Sequence, residues 1–131
     1  MQRVCQKAPA EAKGGGQSSA EQLRVYINNN LESLRNLDEL SEFIGLSPSQ
    51  VIRIFSREFG ITPMKYVHIQ RIERAEYLMR MTQLTIAQIA DRLGFADARH
   101  FSTAYRKLRG ISPNRYRIDF RKRENHMNRS D

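Results

Sequence analysis

LDELSEFIGLSPSQVIRIFSREFG, residues 37–60, contains two short amphipathic patterns separated by a single glycine. In the first pattern, Leu40 and Ile44 lie four residues apart, the spacing that places apolar side chains on one face of a helix. Gly45 follows the small residue Ser41 at the same spacing, which lets two helices meet closely across a short turn. The segment therefore predicts a helix, a tight turn at the glycine and a second helix.

The second pattern has the features of a capped helix with two different faces. It opens with SPSQ, residues 47–50, in which Ser47 can cap the helix and Gln50 can complete a capping box. Its inward face is formed by the apolar residues Val51, Ile54, Phe55 and Phe59. Its outward face is formed by Ser49, Ile52, Arg53 and Ser56. Short polar side chains and an arginine on this face are typical of a helix-turn-helix that enters the major groove of DNA.

The same arrangement recurs at an offset of 49 to 50 residues. TIAQ, residues 85–88, is a second capping box, Ala90 and Gly94 repeat the spacing of the first turn, and Asp97 can cap the next helix. The inward residues of that helix are Phe101, Ala104, Tyr105 and Leu108, and the outward residues are Arg99, Ser102, Thr103 and Arg106. GITPMKY after the first unit matches GISPNRY after the second. Two units followed by matching segments predict a duplicated architecture.

An unbroken helix is predicted between the two units. PMKYVHIQRIERAEYLMRM, residues 63–81, contains no glycine and no proline after its first residue. Such a helix spans ~28 Å at 1.5 Å per residue. With the helix radii added, it can hold the two outward-facing helices about one turn of DNA, ~34 Å, apart. We therefore expect helix-turn-helix units at about residues 36–60 and 85–109, joined by this long helix.

Both ends of the chain are expected to lie outside the folded domain, which we place at residues 18–120. Residues 1–17 contain a triple glycine and read as a flexible leader, because their small and polar side chains bury little surface. An amphipathic helix with a capping-box start at residues 18–21 follows the leader. Residues 121–131 form a basic polar tail whose composition predicts disorder.

The charge of the chain favours an anionic partner. The formal net charge is +8 and the isoelectric point is about 10.1. Residues 98–131 hold ten Lys and Arg against three Asp and Glu, a net charge of +7. Nucleic acid is the first expected partner and a membrane surface the second. No apolar run approaches the ~20 residues that span a bilayer, so we expect no membrane-embedded role.

Few residues suggest catalysis or a cofactor. Cys5 is the single cysteine, which excludes an internal disulfide framework and fits a reducing cytoplasm. No Cys or His pair has metal-ligand spacing, and no nucleophile elbow or paired Ser/His/Asp motif occurs. The triple glycine lacks the Lys-Ser/Thr ending of a phosphate-binding loop. We expect no catalytic residues, no metal and no cofactor.

The segment IAQIADRLGFADARHFSTAYRKLRGISPNRYR, residues 86–117, resembles the DNA-binding domain of the AraC/XylS family of bacterial transcription regulators. With the first unit included, the resemblance covers about three quarters of the chain. It implies an all-α fold of about seven helices, in which two helix-turn-helix subdomains are joined by one long helix. It also implies that one monomer places two recognition helices in successive major grooves of double-stranded DNA.

The resemblance also implies which residues face the DNA. The base-facing residues of the first recognition helix are Ser49, Ile52 and Arg53. Those of the second are Ala98, Arg99, His100, Ser102 and Thr103. Gln50, Arg57, Arg106 and Lys107 are placed for contacts with backbone phosphates. At Thr103 the family often has a basic residue, so the second helix is expected to specify less than the first.

Each of these assignments has a structural alternative. Ile52 can instead pack against the first unit, His100 can point inward beside Phe101, and the charged residues can be ordinary solvated surface. If they face DNA, Arg53 and Arg99 can each donate two hydrogen bonds to guanine. The serine and threonine hydroxyls can contact several base edges or phosphate.

Three classes of function follow from the sequence. The first is a sequence-specific, cytoplasmic transcription regulator that contacts DNA and also RNA polymerase. Its two recognition helices allow binding as a monomer without requiring it, and the sequence leaves activator, the class adopted here, and repressor both open. The second is a helical module that docks on polymerase or another regulator and has only sequence-blind affinity for DNA. The third is a nucleic-acid enzyme, against which the missing acidic metal site and nucleophile argue. Because the leader is too short and too polar to be a ligand-sensing domain, the chain is expected to be either a stand-alone regulator or part of a larger one.

Overall fold

The computed structural model describes residues 17–129, with side chains described up to residue 126, and this part of the chain is entirely helical. The helices are α1 (Ser19–Asn29), α2 (Leu37–Ile44), α3 (Pro48–Phe59), α4 (Pro63–Met81), α5 (Ile86–Arg92), α6 (Ala98–Arg109) and α7 (Pro113–Arg129). No strand occurs among the described residues. The predicted all-α class with about seven helices is therefore confirmed. Residues 1–16 of the leader, which include Cys5, lie outside the described residues.

The chain divides into two compact units whose boundary follows Gln70, inside α4. The core of the first unit is made of side chains from α1, the loop between α1 and α2, α2, α3 and the beginning of α4. Its members are Leu23, Ile27, Leu31, Leu34, Leu40, Ile44, Val51, Phe55 and Val67. The core of the second unit is made of side chains from the rest of α4, from α5 with the residue that follows it, and from α6. Its members are Ile72, Ala75, Leu78, Met79, Ile89, Ala90, Leu93, Phe101 and Tyr105.

The predicted caps and glycine turns set the helix ends. The Ser47 hydroxyl accepts a hydrogen bond from the backbone N–H of Gln50, whose side chain accepts one from the backbone N–H of Ser47. Thr85 and Gln88 form the same reciprocal pair at the start of α5. Gly45, after α2, has φ 78°, a left-handed conformation that L-residues with a Cβ rarely adopt. These local predictions are confirmed.

One predicted capping box is only half formed. The Ser18 hydroxyl accepts a hydrogen bond from the backbone N–H of Glu21, as expected. The carboxylate of Glu21, however, pairs with the guanidinium of Arg24, one turn along α1. A charged partner three residues away on the same face competes with the neutral backbone N–H that a capping box would use.

Arg117, in α7, is a buried residue that joins three parts of the second unit. Its guanidinium donates hydrogen bonds to the backbone carbonyl of Met79 (3.2 Å), near the end of α4, and to those of Thr82 (2.9 Å) and Leu84 in the following loop. Only 8% of Arg117 is exposed, and this burial holds its pKa below the usual range of arginine. A carbonyl at the end of α4 and two carbonyls of the following loop therefore receive a charged donor.

The expectation of a disordered tail is wrong for residues 121–129, because α7 continues to Arg129. No glycine or proline follows Pro113 in this helix, and its arginine, lysine and glutamate residues are good helix formers. Tyr116 packs against Tyr105 of α6, with ring centroids 6.1 Å apart, and accepts a hydrogen bond from Arg80 of α4, which anchors the first half of the helix. None of the described helices has the length and apolar character required to cross a bilayer.

Candidate nucleic-acid interface

Helix α3 separates an apolar inner face from an open outer face. Val51 and Phe55 have no exposed surface. Ser49 and Arg53 are exposed, and Ile52 is 38% exposed, so its side chain does not join the core of the first unit. The three residues predicted to face bases on this helix thus lie on one accessible surface. Whether they contact bases stays a prediction.

Aromatic packing holds the inner face of α3. The ring of Phe55 lies 4.7 Å from that of Phe59 and 5.5 Å from that of Tyr66, measured between centroids. The hydroxyl of Tyr66 in turn accepts a hydrogen bond of 3.0 Å from the side-chain amide of Asn28 in α1. Ser56 is half-buried, and its Oγ has no hydrogen-bond partner among the described residues, so it does not belong to the open face on which the pattern placed it.

Helix α6 shows the same division into two faces. Phe101 and Tyr105 are fully buried. Arg99, His100 and Thr103 are exposed, whereas Ala98 and Ser102 are half-buried. The backbone N–H of His100 donates a 2.8 Å hydrogen bond to the capping carboxylate of Asp97, and the exposed imidazole does not join the core beside Phe101. The five predicted base-facing residues of α6 are therefore at least partly accessible.

Polar contacts hold the inner side of α6 against α4. The hydroxyl of Tyr105 donates a 2.8 Å hydrogen bond to Oε2 of Glu76. The guanidinium of Arg109 contacts both oxygens of that carboxylate, at 2.8 and 3.0 Å. Glu76 keeps only 14% of its side chain exposed. Its carboxylate thus clamps two residues, one turn apart on α6, to the connecting helix.

The clamp lowers the pKa of Glu76 and raises the pKa of Tyr105. Burial alone raises the pKa of the Glu76 carboxyl, but the hydrogen bonds from Arg109 and Tyr105 outweigh it and hold that pKa below its usual range. Burial and the bond to Glu76 raise the pKa of the Tyr105 hydroxyl far above its usual value. The clamp therefore contains a charged carboxylate and a neutral phenol at neutral pH.

The residues predicted to contact phosphates differ in how available they are. Arg57, Arg106 and Lys107 are exposed. Gln50 is half-buried, and its side-chain oxygen is used in the capping box of α3, so only its amide nitrogen remains to donate to a phosphate. These contacts also stay predictions. Among the described residues, no group of three or more His, Cys, Asp and Glu side chains could hold a metal ion.

The sequence did not single out three residues that the structure places around α6. Glu76 is the clamp residue, and Arg109 was counted only as a positive charge. Arg115 lines an open depression of about 450 Å³ beside the end of α6, together with Arg106, Gly110, Ile111, Ser112, Asn114 and Ile118. One feature of the sequence could have indicated the clamp. At the offset of 50 residues between the two units, the polar residues Tyr105 and Arg109 replace the apolar Phe55 and Phe59.

Comparison with known proteins gives the same architecture. A family described as "Helix-turn-helix domain" matches residues 40–118. The probable transcriptional regulator LumQ of Photobacterium leiognathi is 36% identical over 96 residues, which is 73% of this chain and 39% of LumQ. The chain thus spans well under half the length of this relative.

Solved structures agree with this assignment. A transcriptional regulator of Chromobacterium violaceum, described as an AraC-type DNA-binding domain-containing protein, has a TM-score of 0.74 and 30% identity, covering 82% of this chain and 96% of that one. The DNA-binding domain of the global transcriptional factor AdpA has a TM-score of 0.77 over 82% of this chain and 96% of that one. At 21% identity, that second likeness concerns the fold alone. The chain belongs to the AraC/XylS family and carries its double helix-turn-helix DNA-binding domain.

Proposed function

We propose that this protein is a sequence-specific regulator of transcription that inserts α3 and α6 into successive major grooves of double-stranded DNA. The observation that carries the proposal is the pair of capped helices with buried aromatic inner faces and exposed outer faces rich in arginine, serine and threonine. Each outer face has the donors that read base edges. The net charge of +8 supplies sequence-independent attraction to phosphates.

The solved relatives support DNA as the ligand. The AdpA domain, which shares this fold, was crystallised in complex with a target DNA. LumQ and the Chromobacterium protein are both described as transcriptional regulators. A helical module that only docks on other proteins would have no need for two similar exposed faces on two recognition helices.

The base contacts are proposed residue by residue. Arg53 and Arg99 each provide a planar guanidinium that can bond to O6 and N7 of guanine. Ser49, Ser102 and Thr103 provide shorter donors, and Ile52 provides a methyl-bearing surface for a thymine methyl group. Arg57, Arg106 and Lys107 set the register on the backbone without reading sequence. Thr103 reaches less far than a basic side chain, so α6 should discriminate less than α3.

Selection from random duplex DNA at ~150 mM salt tests the proposal. The expected result is one enriched motif with two conserved blocks about 10 base pairs apart. Arg53→Ala should then weaken binding by ~1–3 kcal/mol and relax preference at one base pair of a single block. A pool without enrichment would contradict sequence-specific reading, and affinity that vanishes at moderate salt would favour the protein-docking role instead.

Assembly and partner are part of the same proposal. Two recognition helices in one chain allow one monomer to occupy an asymmetric site, and RNA polymerase is the partner through which the bound protein would activate transcription. Sedimentation of the protein with a duplex that contains the selected motif should give one chain per duplex. A two-to-one complex with a twofold-symmetric site would overturn the monomer.

A further inference from the structure

The depression beside α6 connects the outer face of that helix to α7. Arg106 projects from the outer face of α6, seven residues after Arg99, and lines the depression. On the other side lie Asn114, Arg115 and Ile118 of α7. The depression therefore continues the proposed DNA-facing surface of the second unit onto a helix that is not a recognition helix.

The lining face of α7 continues towards the end of the chain as a basic surface. With 3.6 residues per turn, Lys122 lies on the same side of α7 as Arg115 and Ile118, which precede it by seven and four residues. Lys122 is exposed, and so is its neighbour Arg123, which points about 100° away around the helix. We name the surface formed by Arg106, Asn114, Arg115 and Lys122 the α7 strip.

The opposite side of α7 is fixed to the second unit. The ring of Tyr116 lies 6.1 Å from that of Tyr105, and its hydroxyl accepts a 2.9 Å hydrogen bond from Arg80. Arg117 reaches the three carbonyls described above. Because these contacts fix the two residues that directly follow Arg115, the strip keeps a defined position relative to α6.

The chemistry of the strip fits a sugar–phosphate backbone. Arg115 is 65% exposed and shares only its Nε with Asp119, at 3.3 Å, a surface pair that phosphate can displace at small cost. Ser112 and Asn114 add neutral polar groups to the lining. Ile111 and Ile118, 40% and 45% exposed, offer apolar contact for deoxyribose carbons.

We propose that the α7 strip binds the DNA backbone that flanks the groove entered by α6. This inference rests on the proposed function, since it requires DNA at the outer face of α6. Duplex DNA is preferred to an acidic protein because Arg106 belongs to both surfaces, so DNA docked on α6 lies directly beside the strip. Lys122 lies beyond residues 40–118, the part of the chain that matches the family.

Adjacent lysine and arginine residues provide a matched test. Lys122→Gln and Arg123→Gln remove the same charge from neighbouring exposed positions of the full chain, and only the first lies on the strip. Affinity for the selected duplex is measured by fluorescence anisotropy over a range of salt concentrations. Loss of one phosphate contact lowers the slope of log K against log salt by ~0.9, so Lys122→Gln should show that change and Arg123→Gln should not.

Replacement of single phosphates by neutral methylphosphonates locates the contact. At least one such replacement, beside the block of the motif that α6 reads, should weaken DNA binding by the unmodified protein. The same replacement should have little effect on DNA binding by the Lys122→Gln or Arg115→Gln variant. Equal salt slopes for the two glutamine variants, with no such phosphate, would overturn the strip and direct the search to an acidic protein partner. Failure of the proposed function can be told apart from failure of the strip, because in the first case the unmodified protein would enrich no motif in the selection from random duplex DNA.

Discussion

Arg117→Met should destabilise the second unit while leaving the first unit folded. Methionine retains the length of the buried stem but removes the guanidinium that donates to the carbonyls of Met79, Thr82 and Leu84. Those carbonyls lie at the end of α4 and in the loop that leads to α5. Without a donor, the end of α4 and the beginning of α5 lose their common support.

The expected loss of stability is the free energy of the lost hydrogen bonds, reduced by two opposing effects. A hydrogen bond with a charged partner contributes ~1.5–3 kcal/mol, and three such bonds are lost. Removing a buried charge, whose pKa is already lowered by burial, returns part of this free energy. Water can also reach some of the loop carbonyls. We expect a net loss of ~2–4 kcal/mol, which at ~4–8 °C per kcal/mol lowers the Tm of a unit of this size by at least ~8 °C.

Hydrogen exchange combined with thermal unfolding distinguishes the two units. Peptides from the second unit should lose protection in Arg117→Met, whereas peptides from α1 to α3 should keep it. Arg115→Met is the control, because this neighbouring arginine makes only an exposed pair, which contributes ~0–1 kcal/mol. If Arg117→Met melts within ~2 °C of the unmodified protein, the three carbonyl contacts do not support the unit in the way described.

Three further predictions concern other contacts. The pKa of Glu76 is lowered in the folded state, so the stabilisation by its carboxylate is present above the unfolded-state pKa and is lost as the pH falls through the folded-state pKa. Urea unfolding measured from pH 7 to pH 3 should show this loss of stability. Glu76→Gln should make the free energy of unfolding less dependent on pH in that range. In a second selection, Glu76→Gln should also blur the block read by α6 and leave the other block sharp; equal blurring would exclude a local positioning role. Gly45→Val should cost at least ~1–2 kcal/mol, because φ is 78° there, with Gly45→Asn milder in thermal melts.

The sequence predicted those features that depend on neighbouring residues. Ser47 with Gln50 marks the start of α3, and Gly45 marks the turn before it, because caps and left-handed turns restrict residue type over a few positions. The spacing of Val51 and Phe55 predicted the buried face of α3, and both are fully buried. The exposed positions of the candidate site follow from the same periodicity, since they occupy the opposite side of the helix.

The contacts that escaped prediction join residues far apart in the chain. Arg117 and Glu76 reach partners 29 to 38 residues away, and neither has a local pattern that distinguishes it from a surface charge in a basic chain. Polar composition wrongly predicted disorder after Phe120, because the helix that Tyr116 anchors to α6 and α4 continues without interruption through these polar residues. Composition reports average burial, whereas anchoring is decided by single tertiary contacts.

The two recognition helices are held by different physical interactions although the units are duplicated. In α3, Phe55 and Phe59 pack as rings in an apolar core, an interaction that salt and pH hardly change. At the same positions of the second unit, Tyr105 and Arg109 bond to the carboxylate of Glu76. Arg109 and Glu76 retain 34% and 14% exposure, so ions can screen this pair in part. At these two positions α6 is therefore held by an ion pair and α3 by packed rings, so reading by α6 should be the more sensitive of the two to solution conditions.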